Sequence, residues 1–353
     1  MTMTDLMKNN CHRPGANPIQ AKAWGDLLTD LTPDREYTKP RRRGLTMILD
    51  RCQGLTATKD ILEMTGDYLD QVKLSFGTSV LLDEPFVRRK NDLIRSYAVD
   101  VYPGGTLAEL MLVQGVYPQY LVRAKELGFT MIELSDGTIT LPRSARRDAL
   151  RRALDAGFKV ISEVGKKDPA IEMPVAELCD QIADDLSLGA EKVIVEARES
   201  GIGIGIYDSN GAIRKDMVTD ILSQLPGRED DIMWEAPHTK QQAQLILLCG
   251  SNVSLGNVKP RDVLGLEALR RGLRFETFRQ FSPRLAAAEA VVEAGLTQFA
   301  DSEHPFDKLR ARPERSAAAS STSCDEVTSS PSAQSAAARS RRVRLRKSSE
   351  EEE

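Results

Sequence analysis

The stretch ISEVGKKDP, residues 161–169, sets an acid, Glu163, just ahead of two adjacent lysines, Lys166 and Lys167, where an apolar run ends. Charges in such a position must be paired, hydrated or metal-bound, because leaving one desolvated is costly. Comparable endings recur along the chain at Asp50, Lys73, Asp136, Glu196 with Arg198, Glu235 and Asn257, and the glycines Gly104 and Gly105 close another run. Two or three carboxylates brought together favour a hard divalent cation such as Mg²⁺. Lysines and arginines beside them favour a substrate that carries phosphate or carboxylate. His238 is the one histidine near such an end, so a zinc centre or a Ser-His-Asp triad is poorly supported. The proton source then falls to a lysine whose pKa is lowered by neighbouring cations and burial, and Lys166 beside Lys167 makes such a pair.

Each residue also has a plainer reading. A lone carboxylate at a strand end is more often a helix cap or an ion-pair partner. Glu133, in MIELSD, should alternate away from Asp136 and pair with a helix lysine. The glycines of YPGGT (103–106) suit either a turn before a helix capped by Thr106 or a close backbone approach to an anion. ESGIGIG (199–205) is glycine-rich but lacks the spacing of a dinucleotide or P-loop motif. What favours chemistry is the convergence: six of eight strand-like runs end in a charged residue.

Those runs are GLTMILD (44–50), DQVKLSFG (70–77), AVDVYPGG (98–105) and FTMIELSDG (129–137), then FKVISEVG (158–165), KVIVEARESG (192–201), DIMWEAP (231–237) and NVSLGNV (252–258). Near-continuous hydrophobicity over four to six residues suits strands covered on both faces. Helical patterns lie between them. TKDILEMTGDYL opens at Thr58 as a cap, LPRSARRDALRRALDAG has Pro142 near its start and Gly157 past its end, and two further helices close at Gly189 and Gly250. Eight strands separated mostly by single helices predict a (β/α)8 TIM barrel, with the chemistry at the C-terminal ends of the strands. An open doubly wound sheet would want a glycine fingerprint after its first strand, and LDRCQGL has none.

The 353 residues are 41% hydrophobic and 28% charged with a formal net charge of -4, an ordinary globular composition that gives no argument for nucleic acid. No apolar run reaches the length of a membrane span, and MTMTDLMKNNCHRPG has no signal-peptide character, so a cytoplasmic protein is expected. Five scattered cysteines, at 11, 52, 179, 249 and 324, read as free thiols. The predicted organisation is an N-terminal extension over 1–38, the barrel over 39–302, and a disordered tail over 303–353 rich in Ser, Ala and Arg that ends in a basic run and then glutamates.

The motifs KPRRRGLTMILDRCQGL, GDYLDQVKLSFGTSVLL, YPGGTLAEL, LGFTMIELSDGTITL, VISEVGKKDP, VIVEARESGIGIG, WEAPHTKQQAQLIL and LEALRRGLR together resemble the phosphosulfolactate synthase family over about residues 39–278. The resemblance implies a (β/α)8 barrel and Mg²⁺-dependent addition of sulfite to phosphoenolpyruvate, giving (2R)-phospho-3-sulfolactate, a step toward coenzyme M or sulfolactate. It also implies a homo-oligomer. Carried onto this chain, it makes Lys166 the acid that protonates C2. Some of Asp136, Glu163 and Glu196 become the Mg²⁺ ligands, and Lys73, Gly104, Gly105, Thr106, Lys167 and Arg198 bind substrate. Plant heat-stress-associated proteins share the fold relationship, so the alternative expectation is a non-catalytic barrel acting in stress or interaction. A third is another enolate-handling barrel enzyme.

Overall fold

The computed structural model describes residues 22–25, 31–171 and 173–281. The tail expected over 303–353 and most of the N-terminal extension lie outside the described residues. Eight parallel strands follow in order: β1 Thr46–Asp50, β2 Gln71–Leu74, β3 Asp100–Pro103, β4 Met131–Leu134, β5 Lys159–Val164, β6 Lys192–Val195, β7 Ile232–Glu235 and β8 Ser254–Val258. The helices are α1 Leu55–Thr65, α2 Glu84–Arg95, α3 Gly105–Val113, α4 Tyr117–Glu126, α5 Arg143–Asp155, α6 Val175–Leu188, α7 Lys215–Gln224, α8 Thr239–Cys249, α9 Val263–Arg270 and α10 Phe275–Phe281.

Hydrogen-bonded pairing runs from β3 through β2, β1, β8, β7, β6 and β5 to β4, so the cylinder is a (β/α)8 barrel with one unladdered seam, between β3 and β4. Hydrogen bonds bridge that seam at both ends. Thr130 N donates to Val101 O (3.0 Å) and Thr130 Oγ1 accepts from Val101 N (2.9 Å). At the other end Gly105 N donates to Glu133 Oε1 at 2.8 Å.

Alternation along each strand sorts the apolar residues into two cores. Leu45, Met47, Tyr102, Met131, Ile161, Ile194 and Met233 fill the barrel interior. Ile132, Leu134, Val160, Val164, Val193, Val195 and Trp234 face the helices. Both faces being apolar is why these segments read as continuous hydrophobic runs.

Helix ends follow the expected chemistry at α6, where Gly189 closes the helix in the left-handed region (φ +111°), and Gly157 and Gly250 also have positive φ just past α5 and α8. Two starts differ from expectation. Helix α1 begins at Leu55 behind an extended Gly54, whose carbonyl accepts from Thr58 N (2.9 Å), so Thr58 is a buried helical residue and not the cap. Helix α3 begins at Gly105 behind Gly104, ahead of Thr106.

The N-terminal end of the cylinder is sealed by arginines. Arg270 is fully buried and donates to Ser251 O (2.6 Å), Val253 O (2.6 Å) and Leu45 O (3.2 Å). Glu267 lies between Arg35 (3.1 Å) and Arg271 (2.8 Å), and Arg41 grips Asp70 with two bonds of 2.9 Å. Among the described residues, no helix is long and apolar enough to cross a membrane.

Candidate active site

At the opposite end, four consecutive strands repeat one inward pattern, an apolar residue followed two positions later by glutamate. Met131 and Glu133 lie on β4, Ile161 and Glu163 on β5, Ile194 and Glu196 at the end of β6, and Met233 and Glu235 on β7. A period of two puts both members of each pair on one face. The apolar residue fills the interior and the glutamate one step higher enters a chamber of about 590 Å³ at the barrel mouth.

Two ammonium groups stand among the carboxylates. Lys73, on β2, reaches Glu133 Oε2 (2.9 Å), Glu163 Oε2 (3.1 Å) and Glu235 Oε1 (3.5 Å). Lys167 reaches Glu163 Oε1 (3.0 Å), Glu109 Oε1 (3.4 Å) and Glu196 Oε2 (3.6 Å), with Ser135 Oγ at 3.3 Å. Glu109, from α3, also accepts from Thr138 N (3.0 Å) and Ile139 N (3.1 Å), which ties Lys167 to the loop after β4. Ser135 Oγ lies 2.8 Å from Glu109 and 2.9 Å from Glu163, a hydroxyl with one proton between two carboxylates.

Five carboxylates facing two ammonium groups leave the chamber short of positive charge, and the titration shifts follow. Burial pushes Glu133 up to about 7, with Lys73 opposing and Glu163 adding to the rise. Burial, Glu163 and Glu235 push Glu196 well above the usual carboxylate range. Burial also acts on Glu163, yet Lys167 and Lys73 hold it well below that range. Burial alone would lower Lys167, but Glu163 and Glu196 hold its ammonium above the ordinary lysine value, opposite to the lowered pKa expected of the proton donor. Glu133 Oε2 and Glu196 Oε2 are buried without an aligned hydrogen-bond donor.

The residues expected at the site divide into two groups. Lys73, Glu163, Glu196, Lys166, Lys167, Gly105, Thr106 and Arg198 all line the chamber. Asp136 does not: its carboxylate turns toward the helix layer, 2.9 Å from Arg146, which also holds Asp185 (2.6 Å) and Glu163 O (3.0 Å). Lys166 is engaged in the same clasp, donating to Asp136 O (2.7 Å), Ile139 O (3.1 Å) and Asp136 Oδ2 (3.2 Å). Those three acceptors match the three donors of an ammonium group.

Glu133 and Asp136 do lie on opposite faces, as alternation requires. The inward one is Glu133, and its partner is the strand lysine Lys73, not a helix lysine. Gly104 and Gly105 allow backbone contact of another kind than an anion cradle. A Cβ on Gly105 would sit 2.6 Å from Glu133 Oε1, and one on Gly104 2.6 Å from Phe76 O. Asp50 serves locally, held by Lys90 (2.5 Å) and accepting from Gln53 N (2.9 Å).

Sequence reasoning missed Glu133, Ser135 and Glu109. The repeated spacing of an apolar residue two positions before each strand-end glutamate would have found Glu133. Glu109 sits on a helix and has no such signal.

Among the described residues, three of the four non-glycine positions with positive φ, Phe76, Arg198 and Asn257, line this chamber. Backbone held in that region is costly and clusters at functional sites. A parallel barrel with strained backbone, carboxylates and ammonium groups gathered at the C-terminal ends of its strands defines the class: a (β/α)8-barrel protein with an enzyme-like mouth.

The comparisons narrow the class to a family. The model of (2R)-phospho-3-sulfolactate synthase (ComA) matches residues 34–276. Phosphosulfolactate synthase of Methanothermobacter thermautotrophicus is 42% identical over 250 residues, covering 70% of this chain and 95% of that protein. Its counterpart in Methanocaldococcus jannaschii is 39% identical over 239 residues, covering 67% and 94%. The Arabidopsis thaliana protein HEAT-STRESS-ASSOCIATED 32 is 24% identical over 252 residues, covering 66% and 87%. This chain belongs to the phosphosulfolactate synthase family, a family of enzymes.

Proposed function

We propose that this protein adds sulfite to C3 of phosphoenolpyruvate to give (2R)-phospho-3-sulfolactate. The observation that carries the reading is the half-buried Lys167 ammonium, set among Glu163, Glu196, Glu109 and Ser135 in the chamber of a family member. The sulfur lone pair of sulfite forms the C–S bond at C3, and the C2–C3 π pair moves onto C2 and the carboxylate. The resulting aci-carboxylate carries extra negative charge that the site must offset. A proton then forms the C–H bond at C2, and delivery from one face sets the R configuration. The phosphate ester is retained and nothing leaves.

Lys167 is the group suited to give that proton. Its raised pKa keeps it charged throughout the neutral range, and transfer to a strongly basic carbon is still downhill. Lys166, expected from the resemblance as the acid, has its donors occupied and supports the loops after β4 and β5. Lys73 supplies positive charge at the chamber floor, and Arg198 and Thr106 stand at its wall.

The chamber also suits Mg²⁺. Among the described residues no three acidic, histidine or cysteine side chains converge as a ready-made cage. Mg²⁺ does not need one, since it is commonly held by one or two carboxylates and takes its remaining ligands from water and substrate. Glu163 and Glu196, side by side with Glu196 Oε2 met only by the Lys167 ammonium at 3.6 Å, offer such a pair. Asp136, committed to Arg146 and Lys166, does not fit as a ligand. When bound, Mg²⁺ supplies the positive charge that offsets the developing carboxylate dianion.

The test is incubation of the purified protein with phosphoenolpyruvate, sulfite and Mg²⁺, following loss of the enol absorbance. Consumption that needs all three is expected. Absence of Mg²⁺-dependent consumption overturns the reading and favours the non-catalytic alternative.

A further inference from the structure

A second cavity, of about 410 Å³, opens between the ends of β8 and β1 and shares Leu49, Glu199 and Asn257 with the central chamber. Its charge is the reverse of the chamber's. Arg51, Lys259 and Arg261 line it against the single acid Glu199. Arg261 is largely solvated and leans on Asp262 at 3.9 Å, whereas neither Arg51 nor Lys259 has an ion-pair partner among the described residues.

Asn257 stands on the boundary between the two. Thr46 pairs with Leu255 and Ile48 with Val258, so β8 carries two residues where β1 has one, a bulge made by Gly256 and Asn257. Asn257 completes it in the left-handed region (φ +53°), a conformation asparagine tolerates better than most residues. Gly256 leaves room for Met47, whose Cε would lie 2.7 Å from a Cβ there. The bulge re-aims a side chain that is only 4% exposed, and its Oδ1 has no partner. A half-turn of the amide exchanges that oxygen for two N–H donors, the form an anion recognises.

We infer that this cavity seats the phosphate of the substrate, held by Arg51, Lys259 and the Asn257 amide, while the carboxylate and reacting carbons enter the chamber. The inference rests on the reading of the function given above. A phosphate dianion would be repelled by the carboxylates ringing Lys73 and Lys167, and the cation-lined cavity next door removes that conflict. The β8 side of the mouth is also where barrel enzymes frequently hold phosphate. A molecule with phosphate and carboxylate on one two-carbon unit is short enough to need the two compartments contiguous, as their shared walls make them.

The test uses the full chain with Arg51→Gln and Lys259→Gln combined, both at accessible positions where folding is not at stake. Loss of two charge-assisted hydrogen bonds should raise KM for phosphoenolpyruvate roughly 10–100-fold. KM for sulfite should hold within about twofold, since neither side chain would bond to sulfite. Inorganic phosphate should compete with phosphoenolpyruvate in the wild type and lose that inhibition in the double variant. A control removing two distant charges, Arg42→Gln with Arg151→Gln, should change none of these. An unchanged KM for phosphoenolpyruvate, a rise in the sulfite KM instead, or an equal effect in the control overturns the inference.

If the wild type consumes no phosphoenolpyruvate, calorimetric titration with inorganic phosphate judges the subsite separately from the reaction. Binding that the double variant loses supports it. No binding, or equal binding in both proteins, overturns it.

Discussion

The two ends of the barrel both bury ionised groups, and they do so on opposite terms. At the N-terminal end each charge meets an opposite charge or a row of carbonyls: Arg35 and Arg271 on Glu267, Arg41 on Asp70, Arg270 on three backbone oxygens. At the C-terminal end five carboxylates share two ammonium groups, Lys73 and Lys167, each spread over three of them. Leaving a carboxylate under-served is destabilising, so a chain keeps such an arrangement where something else completes it. The closed network holds the cylinder shut, and the open one faces the chamber.

The comparison is broken most forcefully at Lys167. Lys167→Ala should lower turnover of phosphoenolpyruvate and sulfite by about 10²–10⁴-fold, the usual range for a lost proton donor. Lys166→Ala should cost about tenfold or less, through slackened loops, by the same standard. Steady-state kinetics on both variants decide the matter, and the reverse order would return the proton to Lys166.

Next in size is Glu267→Ala at the closed end, which strands Arg35 and Arg271. Denaturant unfolding should show a loss of about 3–5 kcal/mol, with KM values unchanged in the fraction that folds. At the open end Glu196→Gln should leave stability in chelator unchanged or higher, because it removes a carboxylate that burial already pushes toward protonation. Its cost should fall on Mg²⁺, with the concentration for half activation rising roughly tenfold or more, as for loss of one ligand. Unchanged Mg²⁺ dependence would remove Glu196 from the ligand pair.

The smallest effect is in the pH profile of stability, and its sign differs between the ends. Burial raises Glu267, but Arg35, Arg270 and Arg271 together hold it below the usual range. Its contribution is therefore present above its unfolded pKa and lost as pH falls through the folded value. Glu133 is raised to about 7, mainly by burial, so its contribution is complete below its unfolded pKa near 4.5 and lost as pH rises through about 7. Thermal unfolding in chelator should show Glu133→Gln flattening the decline between about pH 5 and 7, by roughly 5 °C or more, and Glu267→Gln flattening the acid limb. Identical slopes in wild type and Glu133→Gln would mean that the chamber carboxylates are served by partners other than Lys73.

The barrel was legible because the strand-like runs are apolar on both faces and helical patterns lie between them, several closed by a glycine such as Gly189. The level of the site was legible too, since charges crowd the ends of those runs. Which charges point inward was not. Asp136 and Glu163 look alike as acids ending apolar runs, yet one meets Arg146 behind the sheet and the other meets Lys73 in front of it. The same holds for the neighbours Lys166 and Lys167, which part company at Asp136 and Glu163. Glu109 reaches the chamber from a helix, and the Asn257 bulge depends on how β8 sits against β1.

Alone, the residue order determined eight strand-and-helix units and a belt of charge at one level of them, because hydrophobic period and helix punctuation are local properties. Tertiary structure decided which member of each charged pair faces the axis, since a single residue of register turns a side chain to the other face of its strand. Closing the cylinder then brought Lys73 of β2 against glutamates of β4, β5 and β7, a meeting that spacing along the chain does not encode.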